Sequence, residues 1–217
     1  MSLAIFDLDN TLLGGDSDAR WGEFLVENGL VDGDHYAAEN QRYYEEYKAG
    51  TLDIYEFLNF SLKPLSEHDL KELYAWREQF MEAKIREIVL PKALELVDSH
   101  RKAGRELLII TATNRFITEP IAALYGIKHL LATDPEMIDG RYTGRVAGTP
   151  CFQQGKVTRL NNWLQEHQHN LQESWFYSDS HNDLPLLREV THPVAVDADP
   201  QLTATAQQQG WPIISLR

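Results

Sequence analysis

Residues 5–13 read Ile-Phe-Asp-Leu-Asp-Asn-Thr-Leu-Leu: Asp7 and Asp9 sit one residue apart at the end of an apolar run, with Thr11 two further on. A carboxylate can attack phosphorus and form an aspartyl phosphate. Two anions must then meet, so a cation has to sit between them. Magnesium takes hard oxygen ligands and keeps several waters. Asp7 and Asp179 offer such oxygens, with a carbonyl from the turn after the first strand as a third. Asp9, two residues beyond Asp7, has the position to protonate a leaving alkoxide and then activate water. The Thr111 hydroxyl can bind a phosphoryl oxygen. Lys156, after Gly155 at an expected helix start, can offset the charge that develops in the transition state.

These side chains are far apart in sequence, so the elements between them must bring them together. Residues 4–8 read as a short buried strand, left through Gly14-Gly15. From residue 17 to about 84, apolar and aromatic residues recur at helical spacing, as in Trp21, Phe24 and Leu25, or Leu70, Leu73, Trp76 and Phe80. Turn signals separate them at Asp32-Gly33, Ala49-Gly50 and Lys63-Pro64. That stretch reads as a helical insertion of about 70 residues with no strand. From Pro91 the chain alternates. Helices are expected over 91–103, 114–125, 154–167, 183–188 and 200–209. Strands are expected over 105–111, 127–133, 174–178, 193–196 and 212–216, with a hairpin at Asp139-Gly140 returning over 141–146. The alternation predicts an α/β fold with a doubly wound parallel sheet. Ligands bind such sheets beyond the carboxyl ends of the strands. Three expected strand ends carry polar residues: Asp7 and Asp9; Thr111, Thr113 and Asn114; Asp179, Ser180, Asn182 and Asp183.

Asp-Leu-Asp-Asn-Thr-Leu at 7–12, Ile-Ile-Thr at 109–111, Gly-Lys at 155–156 and Ser-Asp-Ser-His-Asn-Asp at 178–183 resemble the four motifs of haloacid dehalogenase superfamily phosphatases. Order and spacing match, and the resemblance spans the chain. The helical insertion, and the Gly-Arg-Tyr-Thr-Gly-Arg hairpin before Lys156, look like the phosphoserine phosphatase-like branch. The resemblance implies a Rossmann-like catalytic core of residues 1–15 and 88–217 and an inserted helical cap of residues 16–87. It implies that Asp7 is the nucleophile and a Mg2+ ligand. Asp9 is then the general acid and base and ligates through its carbonyl. Thr111 binds the phosphoryl group, Lys156 stabilises nucleophile and phosphate, and Asp179 ligates Mg2+. Asn182 and Asp183 support the metal and the lysine. Dehalogenase members lack the second acid, so Asp9 argues for phosphoryl rather than halide chemistry.

Each of these residues also has a structural reading. Thr111 can cap the next helix and Asp183 can be a helix N-cap. His181 reads as a loop histidine rather than a ligand. Trp21, Tyr43, Tyr44, Tyr47, Phe57 and Trp76 read mostly as the core of the insertion, and Cys151 as inert.

The chain carries 33 acidic and 20 basic residues, for a net charge of −13. It should repel nucleic acid and anionic membrane, and neither is an expected partner. An anionic substrate therefore needs local cations. No apolar run approaches the ~20 residues of a membrane span. The first strand begins so early that a targeting peptide is not expected. The single cysteine fits a reducing cytoplasm. The oligomeric state stays open.

A small cap over the strand ends would enclose a pocket suited to a small phosphorylated metabolite. The resemblance puts an amine-binding acid at Asp16, with Asp18 and Glu23 nearby. The family's carboxylate-binding arginine falls at Asn59 when anchored on Gly50-Thr51-Leu52. Asparagine lacks the bidentate charged pairing that arginine offers a carboxylate. An amino-alcohol phosphate thus fits better than an amino-acid phosphate, and the chain resembles a bacterial group of these enzymes with ascribed histidinol-phosphatase activity. Histidinol phosphate is the first expectation and phosphoserine the alternative. Arg42, Arg77 and Arg86 could still reach the pocket from other helices. Phosphotransfer to a second alcohol, and non-catalytic binding of a phosphometabolite, are the readings from other classes.

Overall fold

A computed structural model describes residues 2–217. The strands are β1 (Leu3–Phe6), β2 (Glu106–Asn114), β3 (His129–Ile138), β4 (Arg141–Ala147), β5 (Ser174–Ser178), β6 (His192–Val196) and β7 (Ile213–Ile214). They form one sheet in the order β4-β3-β2-β1-β5-β6-β7, with β4 antiparallel to β3 and the other neighbours parallel. The chain builds outward from β1 through β2 and β3, then resumes on the other side of β1 with β5. The topological switch, where such sheets bind ligands, therefore lies beside β1.

β1 is buried along its whole length, as a central parallel strand covered on both faces must be. Alternate side chains leave the strand on opposite faces. Leu3 and Ile5 join an apolar cluster with Val157, Leu160 and Leu202. Ala4 and Phe6 join a second cluster with Ala93, Val97 and Ile121. Helices α6 (Pro91–Lys102) and α7 (Arg115–Leu124) thus cover one face, and α8 (Gln154–Glu166) and α10 (Pro200–Gln209) the other. A short helix α9 (Leu184–Leu187) follows β5.

Between β1 and β2 lies the inserted helical segment: α1 (Ser17–Glu27), α2 (Gly33–Ala49), α3 (Ile54–Ser61), α4 (Lys63–Glu67) and α5 (Leu70–Phe80). Asp16, Asp32, Asp53 and Asp69 cap α1, α2, α3 and α5, each accepting backbone N–H bonds. An aspartate there satisfies orphan donors and faces the positive helix end, each cap contributing about 1 kcal/mol. Trp21 ties the insertion together and to α7 of the core. Its ring stacks on Phe24 at 5.6 Å and meets Phe80 edge-on at 5.2 Å and Phe116 of α7 at 5.8 Å.

Several boundaries differ from the sequence expectation. Lys63-Pro64, read as a turn, opens α4, where proline's missing N–H is harmless in the first helical turn. β3 runs on to Ile138, because the hairpin with β4 extends the ladder beyond the apolar run, and β2 runs on to Asn114, which pairs with Thr133 of β3. Both hairpin residues, Asp139 and Gly140, have positive φ (50° and 75°), as a tight right-twisted turn demands. β7 shrinks to Ile213–Ile214, since the Asp197 side chain takes the Leu216 N–H that a longer ladder would use. No described helix is long and apolar enough to cross a membrane.

Candidate active site

The site is built where β1, β2 and β5 end side by side. The Asp7 N–H donates to the Tyr177 carbonyl at 2.9 Å as the last rung of the sheet. The Leu8 carbonyl then accepts from Leu12 and Leu13 at 2.9 and 3.0 Å, so the chain turns back at once. That turn brings the Thr11 hydroxyl within 3.1 Å of Asp7 Oδ2 and 3.2 Å of Asp179 Oδ1, while it accepts the Asp179 N–H at 3.1 Å. One hydroxyl proton serves one of the two carboxylates at a time.

Lys156 arrives from the start of α8. A Cβ on Gly155 would lie 2.0 Å from the Pro150 carbonyl oxygen, so glycine alone lets the chain close there. Lys156 is buried, with Nζ 2.7 Å from Asp7 Oδ1 and 2.8 Å from Asp183 Oδ2. Ser178 donates to that same Asp183 oxygen at 2.7 Å. Burial works against the ammonium, but the Asp183 and Asp7 carboxylates outweigh it and hold Lys156 charged. Burial raises the Asp7 carboxyl; Lys156 opposes this, and Asp183 and Asp9 reinforce it. Burial likewise raises Asp179, helped by the Asp7 charge.

Asp9 is held from three sides. Its Oδ1 accepts the Ser17 N–H at 2.6 Å, and its Oδ2 accepts the hydroxyls of Thr113 at 2.9 Å and Thr111 at 3.2 Å. Burial, with the nearby Asp16 charge, pushes its carboxyl up to about 6.

A cavity of about 660 Å³ stands over these groups and is lined by Asp7, Asp9, Thr111, Thr113, Lys156 and Asn182 from the sheet side. The inserted helices supply the opposite walls, with Asp16, Asp18 and Arg20 from α1 and its cap, Tyr43 and Tyr47 from α2, and Phe57 from α3. Asp183 reaches the cavity beneath Lys156. Asp179 lies below, against Thr11.

Two sequence candidates fall elsewhere. Asn59 is exposed on α3 and does not line the cavity. At 100° per residue it points about 200° away from Phe57, which does. Asn114 is buried as the N-cap of α7, its side chain accepting the Ile117 N–H at 3.3 Å. Of the three arginines considered, Arg42 pairs with Glu39, Glu46 and Glu56, Arg77 with Glu119 and the Phe116 carbonyl, and Arg86 with Glu82; none lines the cavity. His181 sits against Asp199 at 2.8 Å.

Other contacts escaped sequence reasoning. The Tyr47 hydroxyl lies 3.0 Å from Ser180 Oγ, and Asn182 Nδ2 donates to the Tyr47 carbonyl at 3.3 Å, joining α2 to the loop after β5. Gln153, at φ 46°, donates to Asn182 Oδ1 at 2.9 Å. Arg20 lines the cavity, with Glu23 (3.2 Å) and Glu87 (3.8 Å) both against its Nη1. Only the i+4 spacing of Thr11 from Asp7 left a trace in the sequence.

Among the described residues no group of three or more His, Cys, Asp or Glu side chains could hold a metal ion. Magnesium needs fewer, since it binds through one or two carboxylates and keeps waters. Asp7 and Asp179, joined by one hydroxyl and both raised by burial, Asp179 also by the Asp7 charge, are an all-oxygen pair that a hard cation fits.

The sequence profile of haloacid dehalogenase-like hydrolases matches residues 4–188. A Neisseria meningitidis serogroup C protein named histidinol-phosphatase is 46% identical over 220 residues, covering 100% of this chain and 99% of that protein. A phosphoserine phosphatase of Mycobacterium tuberculosis is 30% identical, covering 99% of this chain and 70% of that protein. A crystal structure of a Bordetella pertussis protein of unknown function superposes with a TM-score of 0.94 at 45% identity, covering 100% and 99% of the two chains. A phospho-aspartyl intermediate analogue of phosphoserine phosphatase superposes at 0.72 with 17% identity, covering 99% and 93%, a likeness of fold.

Proposed function

The chain belongs to the haloacid dehalogenase-like hydrolase family, and from that premise we propose that it is a magnesium-dependent phosphatase of a small phosphorylated metabolite, with histidinol phosphate as substrate. The observation that carries this reading is the pairing of Asp7 with buried Lys156 on the floor of a cavity that also holds Asp9. In this reading residues 1–15 and 88–217 carry the reaction, and residues 16–87 cap it.

An Asp7 oxygen attacks phosphorus, and the P–O bond to the substrate alcohol breaks. Asp9 gives its proton to the departing alkoxide, leaving an aspartyl phosphate on Asp7. Asp9 then takes a proton from water as the water oxygen attacks phosphorus. The bond to Asp7 breaks, inorganic phosphate leaves, and Asp9 is protonated again. A carboxyl near 6 can hold and release a proton close to neutral pH. Lys156 favours the ionised form of Asp7 against burial and orients it between turnovers. Thr111 and Thr113 fix Asp9 and present hydroxyls to the cavity. Mg2+, held by Asp7, Asp179 and the Asp9 carbonyl, would supply positive charge for the phosphoryl oxygens.

The substrate is argued from charge. The cavity's two lining cations are both engaged: Lys156 with Asp7 and Asp183, Arg20 with Glu23 and Glu87. Each cation among the described lining residues already has a protein carboxylate beside it, whereas acids and aromatic rings are plentiful. This favours an amino-alcohol phosphate bearing an aromatic ring, and the 46%-identical relative carries the matching name. Phosphoserine is the second reading, favoured by the presence of Arg20 on the wall, since a guanidinium released from Glu23 would suit a carboxylate. Steady-state assays with both compounds and Mg2+ decide. The expected outcome is a higher kcat/KM for histidinol phosphate and no activity in excess chelator. A tenfold preference for phosphoserine overturns the substrate assignment.

A further inference from the structure

We infer that Asp18 determines specificity in the proposed phosphatase site by binding a second cationic group of the substrate, distinct from its amine, and by repelling substrates that carry a carboxylate there. The inference rests on the functional reading above and comes from the acids around the cavity. Asp7 and Asp183 face Lys156, and Asp9 accepts three hydrogen bonds. Glu23 and Glu27 face Lys84, and Glu23 also faces Arg20. Asp16 accepts the Asp18 and Ala19 N–H groups through one oxygen at 2.9 Å, leaving the other for a substrate amine. The Asp18 carboxylate lines the same cavity and has no hydrogen bond or salt bridge to any described residue.

An acid withdrawn from bulk water without a counter-charge is unfavourable. Here burial, with the charges of Asp16 and Asp9 added, pushes Asp18 well up. The Tyr36 phenol, which feels its charge, makes no hydrogen bond to it. A ligand cation would relieve all of this at once. Two separate acids, Asp16 on an amine and Asp18 beyond it, call for a phosphomonoester with two basic centres. Aromatic rings on the same cavity, Tyr43, Tyr47 and Phe57, suit a planar basic ring such as imidazole. A substrate with a carboxylate in that place would meet like charge and no cation, which makes Asp18 a device of rejection as well as attraction.

The test is Asp18→Asn, which keeps shape and removes charge. Calorimetric Kd values and kcat/KM are measured for histidinol phosphate and phosphoserine on both proteins. Histidinol phosphate is expected to bind at least tenfold more weakly to the variant, and phosphoserine more tightly and with higher kcat/KM. Parallel weakening toward both compounds, or no change toward either, overturns the assignment of Asp18. Binding is read without turnover, so the two ideas fail separately. A wild-type protein that binds histidinol phosphate through Asp18 but hydrolyses nothing refutes the phosphatase reading alone. Wild-type hydrolysis with an unchanged Asp18→Asn preference refutes the specificity role alone.

Discussion

The floor of the cavity and its helical walls hold their charges in opposite ways. On the floor every acid is gripped by short, buried contacts, such as the 2.7 Å bond from Lys156 to Asp7 or the 2.6 Å bond from the Ser17 N–H to Asp9. Most partners come from the turns after three adjacent strand ends and from the first turn of α8, with Ser17 added from the start of α1. On the walls most charges pair through long, half-exposed side chains on helices, as in Arg20 with Glu23 and Glu87, or Glu27 with Lys84. Such exposed pairs contribute little to stability. One acid, Asp18, has no partner. Chemistry that must happen the same way each time sits on rigid strand ends, and recognition is left to surfaces whose side chains can be exchanged.

The largest expected effect strikes the floor. Asp7→Asn should lower kcat by at least about a thousandfold, since the covalent route is lost. Circular dichroism and thermal melts should report a folded protein, because the change removes a charge that burial disfavours, with Asp183 and Asp9 adding to burial and Lys156 opposing it. Wild-type-like turnover would refute the nucleophile assignment and erase the contrast between floor and walls.

Gly155→Ala tests whether the floor's geometry is set by backbone. Its Cβ must displace the Pro150 carbonyl, with overpacking expected to destabilise by about 1–3 kcal/mol. For a chain of this size that lowers Tm by several degrees, and kcat should fall with it as Lys156 is displaced. An unchanged melt and an unchanged rate would show that α8 can start in another way.

The smallest effect is expected at Asn59. Asn59→Ala should alter stability by less than about 0.5 kcal/mol, and kcat/KM for histidinol phosphate by less than twofold, since the residue is exposed and off the cavity. A large rise in KM would mean that α3 turns toward the site during turnover, and the walls would then be more mobile than their packing suggests.

Much of the floor was legible because strands obey short rules. An apolar run ending in Asp-x-Asp is a strand end with two acids, and alternating elements imply neighbouring parallel strands. From those two facts the gathering of residues 7–9, 111–113 and 179–183 follows. The Asp139-Gly140 turn was equally local. The walls were not legible in this way. Matching Asn59 to a family position by counting from Gly50 ignored the rotation of α3, and a slip of two residues on a helix turns a side chain to the far side. Asn114 looked like a ligand at a strand end, yet the helix beginning there needed its oxygen first.

The sequence by itself determined the order of strands and helices, the motif acids and the lysine, because these depend on residue type and near spacing. Tertiary structure alone decided which charges are already satisfied. That Arg20 meets Glu87, that Tyr47 reaches Ser180, and that Asp18 is left without a partner depend on where helices pack rather than on any pattern within them. Pairing is a property of distance in space, and on packed helices that distance is set by the core, by Trp21 against Phe80 and Phe116, far from the charges it arranges.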